Sequence, residues 1–374
     1  MLETKIRVAK ERMTMRSQTY NFCSGPATLP TAVLSKAQAE LLDWQKMGVS
    51  IMEISHRSPE FTAVAKKAEQ SLRQLMSIPD DYAVLFMQGG ATQQFSGVPM
   101  NFFGLCEGKQ AGYVDTGIWS RKALDEAGRY VDARLVASSK DSNYTRLPES
   151  WALDEKLAYV HYTPNETIGG VEFPHIPDVG DIPLIADMSS TILSRPIDVS
   201  KFALIYAGAQ KNIGPAGLTL VIVRRDLLDA TPHSALPPTM NYRLFDENDS
   251  MLNTPPTFGW YLAWLIFDWL IEAGGLTAMG EVNSRKSARL YNYLDASDVY
   301  HNPIHPEARS WMNVPFVLKD ESRNAAFLKF AEEHGLLNLK GHRSVGGMRA
   351  SLYNAMPEAG VDALIDVLTK FAES

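Results

Sequence analysis

Six short apolar runs, separated by stretches of helical pattern, constrain the fold of this chain of 374 residues more than any other feature. Each run is rich in β-branched or aromatic residues and almost continuous in apolar character, as strands buried on both faces are. The runs are YAVLFMQ (82–88), AGYVDTG (111–117), KLAYVHY (156–162), PLIADMS (183–189), FALIYAG (202–208) and LTLVIVR (218–224). The helical candidates between them are 61–76, 93–102 and 120–128. This alternation predicts an α/β fold with a mostly parallel sheet covered by helices.

The C-terminal part of the chain predicts a second, smaller α/β domain. An apolar stretch at 258–271 is too short for the roughly 20 residues that a membrane span needs, so it predicts a buried core helix. A helix at 277–295 then leads to a β-α-β pattern in MNVPFVL, NAAFLKFAEEHG and GGMRASLYN. We expect a disordered lead-in at 1–17, a large domain at 18–270 whose segment 18–31 packs near the functional site, and a small domain at 271–374.

Charge and cysteine content exclude several classes of protein. The formal net charge is -7 with 21% charged residues, which disfavours nucleic acid as a partner. The two cysteines, Cys23 and Cys106, are too few for a disulfide framework and suit a reducing compartment. The first residues, MLETKIRVAKERMTMRSQ, lack the apolar core of a signal peptide. We therefore expect a cytoplasmic enzyme that does not enter a membrane.

A lone lysine lies between two apolar runs in IYAGAQKNIGPAGLTLVIV. Lys211 follows the end of a predicted strand, and ligands of open α/β sheets bind outside the carboxyl ends of the strands. Gly208 allows a ligand to approach the backbone closely. Asp187 ends another predicted strand. A lysine amine for a Schiff base and a carboxylate for the pyridine nitrogen are what pyridoxal phosphate requires.

Each of these residues also has an ordinary explanation. A loop lysine is most often solvated, and an aspartate before SST is often a helix N-cap. The motif MQGGATQQF (87–95) places two glycines between a strand and a helical pattern, where backbone N–H groups can hold a phosphate. Two glycines in this position also form plain turns. Trp119 follows another strand end and suits stacking on a flat ring, although a tryptophan is more often part of a core.

Several longer motifs together resemble one family of enzymes. They are NFCSGPATLP, MEISHRS, YTPNETIGG, AGAQKNIGPAG, NTPPTF and KGHRSVGGMRASLYNAM. The set resembles the phosphoserine aminotransferases, a class V branch of the fold type I pyridoxal-phosphate enzymes, from about residue 20 to the C-terminus. The resemblance implies reversible transamination between L-glutamate and 3-phosphohydroxypyruvate, giving 2-oxoglutarate and O-phospho-L-serine. It also implies serine biosynthesis and, through 4-phosphohydroxythreonine, pyridoxine biosynthesis.

The resemblance assigns roles toward the cofactor. Lys211 would be the Schiff-base lysine and catalytic base, and Asp187 would hold the pyridinium nitrogen. Trp119 would stack on the ring, and Thr167 would hydrogen-bond the ring hydroxyl. The cofactor phosphate would be held by Ala91, Thr92 and Gln210. The family forms homodimers with shared active sites, so Asn253 and Thr254 would reach the phosphate of the other subunit, although an ordinary Asn-Thr-Pro turn also explains these two residues.

Substrate recognition requires cations, because the substrates carry carboxylates and a phosphate. The resemblance assigns Arg349 to the α-carboxylate. For the distal anion and glutamate it implies Ser24, His56, Arg57, His342 and Arg343. Any one of these arginines is also explained as a solvated surface charge.

Two details qualify this assignment. After the glycine pair this chain has Ala91 and Thr92, where other members carry a further glycine and in some an arginine, so the local charge differs. His301 and His305 have the spacing of metal ligands on a helix, but Pro303 between them disfavours a helix, and we expect no metal site.

Other functions stay open on the residues alone. A cysteine desulfurase needs a mobile catalytic cysteine, and neither Cys23 nor Cys106 lies in a supporting motif. An alanine-glyoxylate aminotransferase has a similar fold, so fold alone does not exclude it. A cofactor-binding regulator needs a further module, for which the lead-in at 1–17 is too short. A nucleotide-dependent enzyme is disfavoured, because the phosphate-binding motifs G-x-G-x-x-G after a strand and G-x-x-x-x-G-K-[ST] are both missing from the sequence.

Overall fold

A computed structural model describes residue 16 and residues 18–374. The predicted disordered lead-in at 1–17 therefore lies outside the described residues, apart from Arg16. The strands are β1 (Tyr20–Asn21), β2 (Tyr82–Gln88), β3 (Gln110–Asp115), β4 (Ala133–Ser138), β5 (Leu157–Tyr162), β6 (Leu184–Asp187), β7 (Leu204–Gly208), β8 (Leu218–Arg224), β9 (Tyr300–His301), β10 (Asn313–Leu318), β11 (Leu336–Leu337) and β12 (Met348–Ser351). The helices are α1 (Thr31–Glu40), α2 (Pro59–Met76), α3 (Gly90–Asn101), α4 (Ile118–Ala127), α5 (Tyr242–Glu247), α6 (Thr257–Glu272), α7 (Gly275–Asp295), α8 (Asn324–Glu333) and α9 (Glu358–Ala372).

The main sheet has seven strands in the order β2-β8-β7-β6-β5-β3-β4. All six predicted runs form strands of this sheet, and the pairings β3–β4, β3–β5, β5–β6 and β6–β7 are parallel. Strand β8 is antiparallel to both β2 and β7, so the sheet is mixed but mostly parallel, as predicted. Strand β4 was not predicted, because it is an edge strand that is only partly buried and therefore lacks a continuous apolar run.

Apolar residues on both faces of this sheet explain why its strands read as unbroken runs. One core cluster includes α2 and α6, where the Trp260 ring stacks on Phe86 with centroids 4.5 Å apart. A second cluster lies between the sheet and α3 and α4. Helix α6 is the core helix predicted from the apolar stretch at 258–271. Among the described residues no single helix is long and apolar enough to span a membrane, and only α6 and α7 taken together, bent by 83° at their break, pass by length and composition.

The C-terminal part contains a three-stranded antiparallel sheet in the order β12-β10-β9. The predicted β-α-β pattern was wrong in one respect, because its two strands, β10 and β12, pair antiparallel. After α8 the chain passes through β11, and Lys340 beyond it forms an antiparallel bridge with Met348 at the start of β12.

The N-terminal segment joins this C-terminal part. Strand β1 pairs in parallel with β11, and Phe22 is buried in a core cluster formed mainly by residues 290–371. The same segment carries Ser24 to the main site, where it hydrogen-bonds Arg349. The division of the chain at residue 270 stays a prediction.

Candidate active site

The carboxyl ends of the central strands surround one cavity of about 290 Å³. Lys211 lies just after β7, Asp187 is the last residue of β6, and Trp119 lies in the first turn of α4, after β3. The cavity is lined by ten of the residues implied by the resemblance: Ser24, Ala91, Thr92, Trp119, Thr167, Asp187, Gln210, Lys211, His342 and Arg349. Residues far apart in the sequence therefore meet at the edge of the sheet where the strand pattern predicted a ligand site.

Lys211 is held inside the cavity and is only 9% exposed. Its Nζ donates a hydrogen bond to Thr167 Oγ1 at 2.6 Å. Burial lowers the pKa of Lys211 to about 8, while the carboxylates of Asp187 and Glu166 oppose that shift. The ordinary explanation of a solvated lysine does not hold for this side chain. A much larger fraction of its amine is neutral near pH 7 than in an exposed lysine, which makes it a candidate nucleophile and base.

Asp187 presents a buried carboxylate to the same cavity. Its Oδ1 accepts hydrogen bonds from the backbone N–H of Ser189 at 3.0 Å and from Ser189 Oγ at 2.6 Å. The residue caps a turn here and not a helix, since residues 189–193 form turns. Burial raises the pKa of Asp187, and the Ser189 donors and the Lys211 cation oppose this rise.

Trp119 is positioned by a buried carboxylate that no motif in the sequence singled out. Glu166 is fully buried, and its carboxylate accepts hydrogen bonds from the backbone N–H groups of Trp119 (3.2 Å) and Ser120 (2.8 Å) and from Ser120 Oγ (2.7 Å). It thereby satisfies free N–H groups at the start of α4, where the helix dipole also favours a negative charge. A Cβ at Gly117 would lie 2.7 Å from Glu166 Cδ, so a glycine is required there.

The start of α3 lies where the sequence predicts a cradle for an anion. Gly89 and Gly90 have φ values of 94° and 71°, which allow the sharp turn from β2 into the helix. No side chain caps this helix, and Ala91 and Thr92 of its first turn line the cavity. A Cβ at Gly208 would lie 3.4 Å from the Ala91 nitrogen, so the missing side chain keeps this N–H group accessible. An anionic group is favoured at such a helix N-terminus.

Arg349 lies in β12 and brings a cation to the cavity. Its Nη2 donates to Ser24 Oγ at 2.6 Å and its Nη1 to the Thr167 carbonyl at 3.3 Å. Burial lowers the pKa of Arg349, and among the described residues no carboxylate forms an ion pair with it. Its Nε is buried without a hydrogen-bond partner. A buried guanidinium without a carboxylate partner is suited to bind the carboxylate of a ligand.

Five residues implied by the resemblance do not line this cavity: His56, Arg57, Asn253, Thr254 and Arg343. Of these, Arg57, Asn253, Thr254 and Arg343 are exposed. His342 lines the cavity but is also exposed, and its Nδ1 lies 2.6 Å from Ser344 Oγ. The fold of one chain therefore does not bring both predicted His-Arg pairs to Lys211.

The residues that line the cavity fit pyridoxal phosphate. A carboxylate, a hydroxyl, an amine and a helix N-terminus surround one space, which matches the ring nitrogen, ring hydroxyl, aldehyde and phosphate of this cofactor. Two further lining residues, Thr163 and Asn165, each have a buried side-chain oxygen without a partner. Neither was identified from the sequence, because a single polar residue next to an apolar strand forms no repeating pattern that marks it as part of a site.

This fold and lysine site define a known class of enzyme. The family described as aminotransferase class-V matches residues 19–364. The chain therefore belongs to the class-V aminotransferases, as the resemblance implied.

Comparison with individual proteins narrows this class to one family. The chain is 62% identical to phosphoserine aminotransferase of Hahella chejuensis over 360 residues, which cover 96% of this chain and 99% of that protein. The phosphoserine aminotransferase structure from Bacillus circulans subsp. alkalophilus matches with a TM-score of 0.92 and 46% identity over 96% of this chain and 99% of that chain. The structure of pyridoxal-phosphate-bound phosphoserine aminotransferase from Trichomonas vaginalis matches with a TM-score of 0.90 and 44% identity. The match covers 94% of this chain and 99% of that chain. Within its class, the chain belongs to the phosphoserine aminotransferases.

Proposed function

We propose that this chain binds pyridoxal phosphate and catalyses reversible transamination between L-glutamate and 3-phosphohydroxypyruvate. The products are 2-oxoglutarate and O-phospho-L-serine, and 4-phosphohydroxythreonine is a second expected product or substrate. One observation carries the proposal: the buried Lys211 amine, the Asp187 carboxylate and the Arg349 guanidinium all line a single cavity. Membership of the phosphoserine aminotransferase family supplies the substrates.

The residues proposed to hold the cofactor are those around Lys211. Asp187 would bind the ring nitrogen, Thr167 the ring hydroxyl and Trp119 the ring face. Ala91, Thr92 and Gln210 would hold the phosphate at the start of α3, where the helix dipole favours an anion. When bound, pyridoxal phosphate supplies an electron sink that stabilises negative charge on the substrate Cα.

Lys211 is proposed to tether the cofactor and to move the substrate's Cα proton. The hydrogen bond to Thr167 Oγ1 fixes the position of its Nζ. A pKa of about 8 lies close to physiological pH, so the amine can accept a proton in one step and return it in the next. Burial of the side chain is the main cause of this low value.

Arg349 and Ser24 are proposed to bind the α-carboxylate that both amino acids share. The guanidinium offers a planar pair of N–H donors, and its hydrogen bond to Ser24 Oγ holds it at the cavity. The distal anion of the substrate would be bound by His342, which lines the cavity, and by other residues that lie outside it. Since His56 and Arg57 lie outside the cavity of their own chain, their contribution requires a second subunit.

A homodimer with shared active sites is therefore part of the proposal. Asn253 and Thr254 are exposed and lie outside the cavity, which suits a role in the phosphate site of the other subunit. The backbone carbonyl of Thr254 accepts a hydrogen bond from Gln88 Nε2 at 3.1 Å, next to the glycine turn of the same chain.

The visible spectrum of the purified protein tests the proposal. The yellow band of bound cofactor is expected to fade with L-glutamate and to return with 3-phosphohydroxypyruvate, but not with pyruvate or glyoxylate. Lys211→Ala should abolish turnover, whereas Lys201→Ala, which changes an exposed lysine, should not. A band restored equally by unphosphorylated keto acids would overturn the substrate assignment. Normal turnover by a folded Lys211→Ala variant would overturn the role of Lys211.

A further inference from the structure

A group of buried polar side chains joins the loop after β5 to strand β12, and Asn313 lies at its centre. Asn313 is the first residue of β10, and its register partner in β12 is Ser351. Its side-chain oxygen accepts a hydrogen bond from Asn165 Nδ2 at 2.9 Å. Its own Nδ2 donates to Ser351 Oγ at 3.0 Å and to the Tyr353 hydroxyl at 3.2 Å. One amide therefore connects two segments that are distant in the sequence.

The number of hydrogens on each group fixes the direction of these hydrogen bonds. Ser190 Oγ donates its one hydrogen to the backbone carbonyl of Asn165 at 2.8 Å, so it can only accept from Asn165 Nδ2, which lies 2.9 Å away. Asn165 therefore turns its NH₂ group toward Asn313, whose oxygen accepts and whose NH₂ group faces Tyr353. The hydrogen of the Tyr353 hydroxyl is then left for the backbone carbonyl of Ser24, 2.8 Å away.

The hydrogen bond from Tyr353 holds the segment that contacts Arg349. Among the described residues, the Tyr353 hydroxyl is the only donor to the Ser24 carbonyl. The hydroxyl of the same Ser24 accepts from Arg349 Nη2 at 2.6 Å. The position of the Ser24 backbone therefore determines where its hydroxyl meets the guanidinium.

The other end of the group lies in the loop that contacts Lys211. Asn165 and Thr167 are two positions apart in this loop, and Thr167 Oγ1 accepts the hydrogen bond from Lys211 Nζ. The Thr167 carbonyl also accepts from Arg349 Nη1 at 3.3 Å. The hydrogen bonds through Asn313 therefore fix the position of the guanidinium relative to the lysine amine.

Burial makes this arrangement costly as packing alone. Asn165, Asn313, Ser351 and Tyr353 are each no more than 2% exposed. Of their side-chain polar atoms, only Asn165 Oδ1 lacks a partner in the part of the chain that the structure describes. Apolar side chains would fill the same space without the cost of removing polar groups from water. Hydrogen bonds differ from apolar contacts because they specify direction, and a connected buried network holds its members in one arrangement.

We propose that Asn313 and Tyr353 are positioning residues for the α-carboxylate of the substrate: they hold the Ser24 backbone where its hydroxyl orients the Arg349 guanidinium. This proposal rests on the proposed role of Arg349, and it adds two residues that do not line the cavity. It differs from a purely structural role in one respect. Loss of the Tyr353 hydroxyl weakens binding of a ligand that carries an α-carboxylate more than binding of a ligand that lacks it.

Two phosphorylated amines separate these roles. The holoenzyme is titrated with O-phospho-α-methyl-L-serine, which has no hydrogen on Cα and cannot be transaminated, and with O-phosphoethanolamine, which lacks the α-carboxylate. Binding is followed in the visible band of the cofactor. The ratio of the two dissociation constants measures the contact with the α-carboxylate, and the added methyl group affects every variant alike. We expect Tyr353→Phe to lower the preference for the carboxylate ligand by about fivefold, the size of one neutral hydrogen bond.

Tyr300→Phe is a matched control. Tyr300 is 1% exposed, and its hydroxyl also donates to a backbone carbonyl, that of Leu368 at 2.8 Å, away from the cavity. Both tyrosine variants should lose a similar free energy of unfolding in urea, but Tyr300→Phe should leave the ratio unchanged. Ser351→Ala removes the other acceptor of Asn313 and should also leave the ratio unchanged, because the path to Ser24 stays intact.

Asn313→Asp tests the link between the two positioning residues. A carboxylate has no N–H group, so it accepts the hydrogen of the Tyr353 hydroxyl and draws it away from Ser24. We expect the same loss of preference as in Tyr353→Phe, and no further loss when the two changes are combined. This variant keeps the tyrosine, so it carries the test if Tyr353→Phe does not fold.

The outcomes distinguish this inference from the proposed function. An equal loss of affinity for both ligands in Tyr353→Phe, or an equally large change of the ratio in Tyr300→Phe, would overturn the proposal and indicate a structural role. If Arg349→Gln removes the preference but Tyr353→Phe leaves it intact, only this inference fails. If the native protein does not prefer the carboxylate ligand, the proposed role of Arg349 fails as well.

Discussion

Replacing Glu166 by glutamine tests whether this buried carboxylate positions Trp119. Glutamine has nearly the same size but only one acceptor oxygen. If that oxygen stays on Ser120, the side-chain NH₂ group faces the Trp119 N–H, which now lies 3.2 Å from Glu166 Oε2. The change replaces a charge-assisted hydrogen bond of about 1.5–3 kcal/mol by two facing donors. It also removes a favourable helix-dipole interaction of about 0.3–1 kcal/mol.

One effect acts in the opposite direction. Burial is the main cause that raises the pKa of Glu166, so removing the charge also removes a desolvation cost. We therefore expect a net loss of about 2 kcal/mol in the free energy of unfolding, measured by urea titration of the cofactor-free protein. Affinity for pyridoxal phosphate should also fall, because the first turn of α4 carries Trp119 into the cavity.

Two controls make the result specific. Glu155→Gln changes an exposed carboxylate and should alter the free energy of unfolding by less than about 0.5 kcal/mol. In the Ser120→Ala background the cost of Glu166→Gln should shrink, since the two side chains share a hydrogen bond. An unchanged free energy of unfolding together with unchanged cofactor affinity would refute the reasoning.

Two further predictions concern buried lysines. The rate at which cofactor-free protein binds pyridoxal phosphate covalently should rise with pH and level off above about pH 8. The reason is that the neutral amine is the nucleophile, and burial lowers the pKa of Lys211 to that value. A rate that still rises at pH 10, measured by stopped-flow absorbance, would contradict this. Lys286→Met should lower the free energy of unfolding in urea by about 3 kcal/mol, because Nζ donates to three carbonyl groups in the turn at 352–356 at 2.9–3.0 Å. A loss no larger than that of the exposed Lys370→Met control would refute this role.

The sequence alone determined the central architecture, because its signal is local. Strands buried on both faces need apolar residues at nearly every position, so each of the six runs is recognisable without its neighbours. Strand β4 was not predicted, because it lies at the partly exposed edge of the sheet and has no continuous apolar run. The general rule that ligands bind at the carboxyl ends of parallel strands then located the cavity and gave Lys211 and Asp187 their role as candidates.

The resemblance of the motifs named candidate substrate-binding residues, but it did not show which of their side chains reach the cavity. It implied that His56, Arg57 and Arg343 bind substrate, yet the fold of one chain leaves them outside the cavity. A motif records which residues a family keeps, whereas the place of each side chain depends on how distant segments, or separate subunits, pack together.

Only the tertiary structure revealed the buried hydrogen bonds that join distant parts of the chain. Glu166 bonds to a residue 46 positions away, and His161 bonds to Tyr206 across 45 positions. In the sequence, Glu166 is a polar residue in a loop, and His161 and Tyr206 are polar residues inside apolar strands. No repeating pattern in the sequence indicates which residue each of them contacts. Hydrophobic patterns repeat along an element and can be read locally, but a buried hydrogen bond is decided by which strands become neighbours, and that order follows from the packing of the whole sheet.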